Sequence, residues 1–160
     1  MDKYSKKSDI SYALGTTLTI EMLRRKKEVA SRVYINPLQK RDETFNKLVS
    51  LAREANVPVI LNNQKIFTAL SDKENVMAIG EFKKFDNTLP KDKNHLVLVN
   101  PSNMGNLGTI MRSGAAFEIG GLAIIKPAAD CFDPKCVRSS MGAIFSLPFH
   151  YYESFEEYEK

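Results

Sequence analysis

Arg112 falls in an otherwise apolar helical stretch and has no acidic residue three or four positions away on either side. A guanidinium is always charged and presents its donors as a planar fork, so one without a partner on its own helix suits a phosphate. Arg112 closes the segment NPSNMGNLGTIMR, residues 100–112, which comes directly after the apolar run HLVLV, residues 95–99. Small residues and asparagines just past the carboxyl end of a buried strand mark the place where α/β sheets hold ligands. Neither common phosphate motif is present, because Gly105-x-x-Gly108 supplies neither G-x-G-x-x-G nor G-K-[ST]. The competing reading is a plain strand-to-helix turn in which Gly105 and Gly108 serve tight packing.

A second candidate is the basic run Arg24-Arg25-Lys26-Lys27. At the end of a helix, cations complement the macrodipole; facing outward, they would equally suit a polyanion. Charge is unevenly divided along the chain. In residues 1–94 Lys and Arg outnumber Asp and Glu by 18 to 12, whereas residues 95–160 hold 5 against 7. The only cysteines, Cys131 and Cys136, read as small buried apolar residues, and with histidines only at His95 and His150 no metal site or disulfide framework is expected. Tyr151, Tyr152, Phe155 and Tyr158 could stack on bases, but their spacing at a strand-to-helix boundary favours core or interface.

The elements that must position these residues are set by periodicity and caps. In the first half, residues 11–14 and 32–36 read as strands. A helix comes after Gly15, and a second, capped by Asp42, carries the stripe Phe45, Leu48, Val49, Ala52. A strand over 57–61, a short helix with Ile66, Phe67 and Leu70, and a strand over 76–80 complete an alternation that predicts an α/β unit with a largely parallel sheet. The stretch DNTLPKDKN, residues 86–94, has nothing to bury and reads as a linker. Beyond it, residues 95–99 predict a strand covered on both faces, with Asn106 as the N-cap of the next helix and residues 122–125 as a second buried strand. Asp133-Pro134 predicts a capped short helix, residues 147–151 a third strand, and Ser154 caps a last helix.

On these residues, the segment NPSNMGNLGTIMRSGAAFEIGGLAII resembles the first signature of the SpoU/TrmH family of RNA ribose 2′-O-methyltransferases, of the SPOUT class. The segment KCVRSSMGAIFSLPF, residues 135–149, resembles the family's next segment in chain order. More loosely, YALGTTLTIEML, RVYIN and VMAIG resemble the family's small substrate-binding domain. The resemblance implies an α/β fold: an RNA substrate-binding α/β domain over residues 1–85, a linker over 86–94, and the N-terminal part of an α/β-knot methyltransferase domain over 95–160. It also implies S-adenosylmethionine as methyl donor, with structured RNA (rRNA or tRNA) as partner. A cytoplasmic homodimer without membrane attachment completes the expectation. Asn106 and Arg112 match the catalytic positions, Gly105 and Gly108 the structural turn, and Arg24, Arg25, Lys26, Lys27 and Arg138 become candidate RNA contacts. Arg138 keeps a second reading as mere cover for the sheet. The family's later segments, which complete the cofactor pocket and tie the knot, do not occur before Lys160, so most of the S-adenosylmethionine site is expected beyond it and the chain reads as an inactive fragment. The alternative is a non-catalytic RNA-binding or assembly protein that keeps the scaffold without the pocket.

Overall fold

The computed structural model describes residues 3–71 and 75–160. The chain divides into two compact units, one ending at Lys84 and the other spanning Phe85–Lys160.

In the first unit, strands β1 (Ile10–Leu14), β2 (Ala30–Ile35), β3 (Val59–Ile60) and β4 (Ala78–Lys83) form one sheet in the order β1-β4-β2-β3. β4 runs antiparallel to both β1 and β2, and only β2 and β3 are parallel, so the expected largely parallel sheet is a mixed one. Strand and helix do alternate as the sequence predicts. That alternation does not fix which strands are neighbours, and here β4 inserts between β1 and β2 against their direction. Helix α1 (Thr16–Arg25) enters through Gly15, whose φ of 122° is strained for any side chain. Helix α2 (Glu43–Glu54) is capped by Asp42, which accepts from the Phe45 amide at 3.0 Å. Asp42→Ala should destabilise this unit by about 1 kcal/mol, measured by urea titration, and Asp42→Asn by much less. Helix α3 (Gln64–Leu70) buries Ile66 and Phe67 against Leu14, Tyr34 and Ile79. On the same sheet, the buried Tyr34 hydroxyl donates to Glu81 Oε2 at 3.1 Å, and burial pushes this phenol above its ordinary range.

In the second unit, β5 (His95–Val99), β6 (Gly121–Ile125) and β7 (Phe149–Tyr152) are all parallel, in the order β5-β6-β7. The central strand β6 is buried throughout, whereas β5 is an edge strand that stays half-exposed, with Val99 at 64%. The expectation that residues 95–99 are covered on both faces is therefore corrected: an apolar run does not say whether its strand lies inside the sheet or at its edge. Helix α4 (Met104–Ala116) connects β5 to β6. Helix α5 (Pro134–Ser139) and the 3-10 turn Ala143–Phe145 connect β6 to β7, and α6 (Phe155–Glu159) comes last. Asp133 and Ser154 cap α5 and α6 as their sequence positions predict.

Residues 86–94 pack on this second unit, contrary to the expectation that they have nothing to bury. Leu89 is 6% exposed. Phe85 meets Phe132 edge-on at 5.2 Å and Phe149 at 5.8 Å. Both histidines hold the segment: His150 Nδ1 lies 2.8 Å from Asp86 Oδ1 and 2.9 Å from the Asn87 carbonyl, and His95 Nε2 lies 2.7 Å from the Pro90 carbonyl.

Candidate active site at the α4–α5 contact

The loop after β5 is fixed before it reaches α4. Asn100 sits at φ 52°, and its Nδ2 donates to the carbonyls of Ile125 at 3.4 Å and Pro127 at 3.2 Å. Its backbone N–H also donates to Ile125, and the Ala129 amide donates to the Pro101 carbonyl. The loops after β5 and β6 are thereby tied together at the carboxyl edge of the sheet. The N-cap of α4 is Asn103, whose Oδ1 accepts from the Asn106 amide at 2.9 Å. The expectation that Asn106 is the cap is therefore corrected. Asn106 stands in the first turn with an exposed side chain. Two asparagines three residues apart satisfy the same local signal, and only the backbone conformation separates them.

Gly105 and Gly108 also lie inside α4 and form no turn. The role of Gly108 is close approach. A Cβ there would fall 1.8 Å from Ser139 Oγ, 2.5 Å from the Cys136 carbonyl and 2.8 Å from the Ser140 amide. The missing side chain lets α5 rest on the backbone of α4, and Ser139 Oγ, which donates to the Cys136 carbonyl of its own helix, also reaches the Met104 carbonyl across the contact at 3.4 Å. Beneath it, Cys131 and Cys136 are free and buried. The Cys131 thiol and burial push Cys136 far above the ordinary thiol range.

Arg112 is exposed one turn after Gly108. At 100° per residue it lies about 40° round from Gly108, at the border of the buried stripe Leu107, Gly108, Met111, Gly114 and on the side toward α5. Arg138, also exposed, adjoins Ser139 on α5. Neither guanidinium has a hydrogen bond or ion pair among the described residues. Arg112 and Arg138 thus come from adjacent packed helices. Asn106 is about 120° round the helix from Arg112 and about 9 Å back along it, so these two share a helix and not a face.

Arg24, Arg25, Lys26 and Lys27 belong to the first unit. Arg24 and Arg25 end α1, Lys26 is its C-cap, and Lys27 starts a 3-10 turn. Arg25 Nε pairs with Glu21 Oε2 at 2.8 Å on the same helix. The run borders a groove of about 330 Å³ where Arg24, Arg25 and Lys27 face Leu51 and Glu54 at the end of α2. The tyrosines are structural. The Tyr151 hydroxyl donates to the Ala129 carbonyl and accepts from the Cys131 amide, while Tyr152 packs edge-on against Tyr158 at 5.3 Å. Among the described residues no group of three or more His, Cys, Asp or Glu side chains converges to hold a metal ion, and no helix is long and apolar enough to cross a membrane.

Comparison with known proteins gives a consistent picture. Residues 93–160 match the family model of the SpoU rRNA Methylase family, and residues 12–84 match the model for RNA 2′-O ribose methyltransferase substrate binding. The 23S rRNA (uridine(2479)-2′-O)-methyltransferase of Streptomyces viridochromogenes is 52% identical over 48 residues, 30% of this chain and 17% of that protein. The mitochondrial rRNA methyltransferase 3 of Xenopus tropicalis is 33% identical over 109 residues, 60% of this chain and 25% of that one. Among solved structures, the SpoU methyltransferase AviRb from Streptomyces viridochromogenes, in complex with the cofactor AdoMet, superposes with a TM-score of 0.78 at 21% identity, covering 94% of this chain and 58% of its own. An rRNA methyltransferase from Sinorhizobium meliloti superposes with a TM-score of 0.76 at 20% identity, covering 95% and 57%. The chain therefore shares their fold and spans a little over half the length of either.

Proposed function

Because the chain belongs to the SpoU rRNA methylase family, with the family's substrate-binding domain ahead of its methylase segment, we propose that the complete protein methylates ribose 2′-hydroxyls of structured RNA, rRNA or tRNA, with S-adenosylmethionine as donor. The observation that carries this reading is the unpaired, exposed guanidinium of Arg112, set beside the α4–α5 contact of a parallel sheet. S-adenosylmethionine supplies a methyl group already activated as a sulfonium. At the loops beyond the strand ends, the carbonyls of Ile125, Pro127, Pro101 and Ala129 already accept from Asn100, the Ala129 amide and Tyr151.

These residues suit the acceptor RNA. A guanidinium is a poor general base, so on this reading the hydroxyl proton passes to solvent water as the methyl group leaves the sulfonium, which departs as a neutral thioether. A bidentate grip on the phosphate beside the target ribose fixes the hydroxyl in line, and the positive charge stabilises the developing alkoxide. Residues 12–84 would bring the RNA, with Arg24, Arg25, Lys26 and Lys27 on its phosphates. Incubating the complete protein with methyl-tritiated S-adenosylmethionine and ribosomal RNA tests the reading. Label should survive alkaline hydrolysis as resistant dinucleotides, because a 2′-O-methyl group blocks cleavage of the adjoining phosphodiester. Label recovered in mononucleotides would place the methyl group on a base and overturn the proposal, and RNA binding without label would favour the non-catalytic alternative. Homodimeric assembly in the cytoplasm belongs to the same reading, and sedimentation of the purified protein tests the assembly.

The basic run gives a separate expectation. Replacing Arg24, Arg25, Lys26 and Lys27 by Gln should flatten the dependence of log affinity on log salt, each lost phosphate contact removing roughly 0.7 to 0.9 from the slope. Arg25, already paired with Glu21, should contribute least when replaced singly. An unchanged slope in fluorescence-anisotropy titrations would reduce the run to a solvated helix end.

A further inference from the structure

Met141 is an apolar side chain held largely outward at the bend that follows α5. It is 54% exposed and sits at φ 52°, a conformation few methionines adopt, immediately before Gly142 at φ 93°. The bend that carries it is fixed from both sides. The Met141 amide donates to the Arg138 carbonyl at 3.1 Å, and the Ala143 amide to the Ser140 carbonyl at 3.0 Å. The buried Ser140 hydroxyl donates to the Val137 carbonyl at 2.8 Å and accepts from the Ile144 amide. The bend also follows directly on the α4 contact: Gly108 abuts Ser139 and Ser140, the two residues before Met141, and Arg112 lies one turn further along α4, about 40° round from Gly108. Met141 therefore stands three residues after one unpaired arginine and one residue after the α5 contact with Gly108, the glycine that precedes the other arginine by one helical turn.

We propose that Met141 is a base platform: it packs against the face of one nucleobase while Arg112 and Arg138 hold the neighbouring phosphates, so that α4 and the α5 bend together grip a single nucleotide. A polarisable thioether is suited to this, since it packs on the face or edge of any aromatic ring and discriminates little between bases. The strained backbone suits it too, because a side chain at a fixed left-handed residue is presented without a search. The inference rests on the RNA reading above and assigns to that site a residue that positions the substrate.

The test uses the full chain labelled with ¹³C at the methionine methyl groups. It is titrated with a twelve-nucleotide single-stranded RNA and, separately, with an abasic ribose-phosphate oligomer of the same length. Met141→Leu identifies the Met141 resonance by its disappearance. The expected result is an upfield, ring-current shift of that methyl with RNA and none with the abasic oligomer, whereas Arg112→Gln and Arg138→Gln weaken the binding of both. Met141→Gly, which suits the positive φ and should leave the fold intact, is expected to lower affinity for RNA about fivefold, within the range of one sulfur–aromatic contact, without lowering affinity for the abasic oligomer. Backbone resonances of α4 that titrate while the Met141 methyl stays still would overturn the inference and leave the RNA reading standing. If no resonance titrates, both fall. A methyl shift that tracks protein concentration in the absence of RNA would make Met141 a contact between copies of the chain, and would equally overturn the proposal.

Discussion

Arg112→Ala is expected to lower the single-turnover rate of methyl transfer by the complete protein about 100-fold or more, the loss typical of removing one preorganised donor aimed at developing charge. Affinity for S-adenosylmethionine should be nearly unchanged, because Arg112 stands on the acceptor side of the reaction in the proposed arrangement. The split between kinetic parameters carries the diagnosis. An interaction made chiefly in the transition state lowers kcat and kcat/KM together, whereas a phosphate contact made equally in the ground state raises KM alone. Arg112→Lys should recover little, since an ammonium lacks the planar two-pronged fork. Full activity in the lysine variant would reduce Arg112 to a generic positive charge, and full activity in the alanine variant would remove it from the mechanism.

Gly108→Ala is expected to be the most disruptive single methyl group that can be added to α4, at a cost of about 3 kcal/mol, the upper part of the overpacking range. Two of the three atoms it would strike, the Cys136 carbonyl and the Ser140 amide, are backbone and cannot swing aside. Ser139→Ala in the same chain should rescue the variant only partly, because it removes the hydroxyl and leaves those two contacts. Gly105→Ala is the matched control. Its Cβ would meet only Asn103 Oδ1 at 3.3 Å, and alanine favours the helix by up to about 1 kcal/mol, so stability should hold or rise. Calorimetric scans of the three variants separate these outcomes. A Gly108→Ala chain that melts like the parent would mean that α5 shifts freely on α4.

The features legible in the sequence are the local ones. Asp42, Asp133-Pro134 and Ser154 each announce a helix start through chemistry contained within four residues, and all three cap as their positions predict. Arg112 is legible for a similar reason, since the absence of an acidic partner can be read along one helix. The direction of β4 between β1 and β2 is not legible, because it depends on which strands meet after a long excursion of chain. Leu89 is one apolar residue among Pro, Asp, Asn and Lys, where average hydropathy hides a single anchor. Gly108 reads as a turn residue because its neighbour on α5 lies about thirty positions away, and no local pattern distinguishes a glycine that bends the chain from one that admits another backbone. Met141 gives one faint signal, a bulky residue just before a glycine at the end of a short helix, which only the backbone angle turns into a feature.

The anchoring of residues 85–90 bears on how the chain can vary in length. A polar run of Asp, Asn, Pro and Lys between two folded units is where insertions and deletions are ordinarily absorbed. Here Phe85, Asp86, Leu89 and Pro90 each reach a separate receptor: the Phe132–Phe149 pair, His150, the space beside Gly121, and His95. One residue added or lost between Asp86 and Pro90 would displace at least one of these side chains from its seat. The segment that looks most tolerant of indels is thus metered residue by residue, and the nearer place for added length is Lys91-Asp92, exposed in the turn ahead of β5, because Lys93 and Asn94 already lie against Gly120.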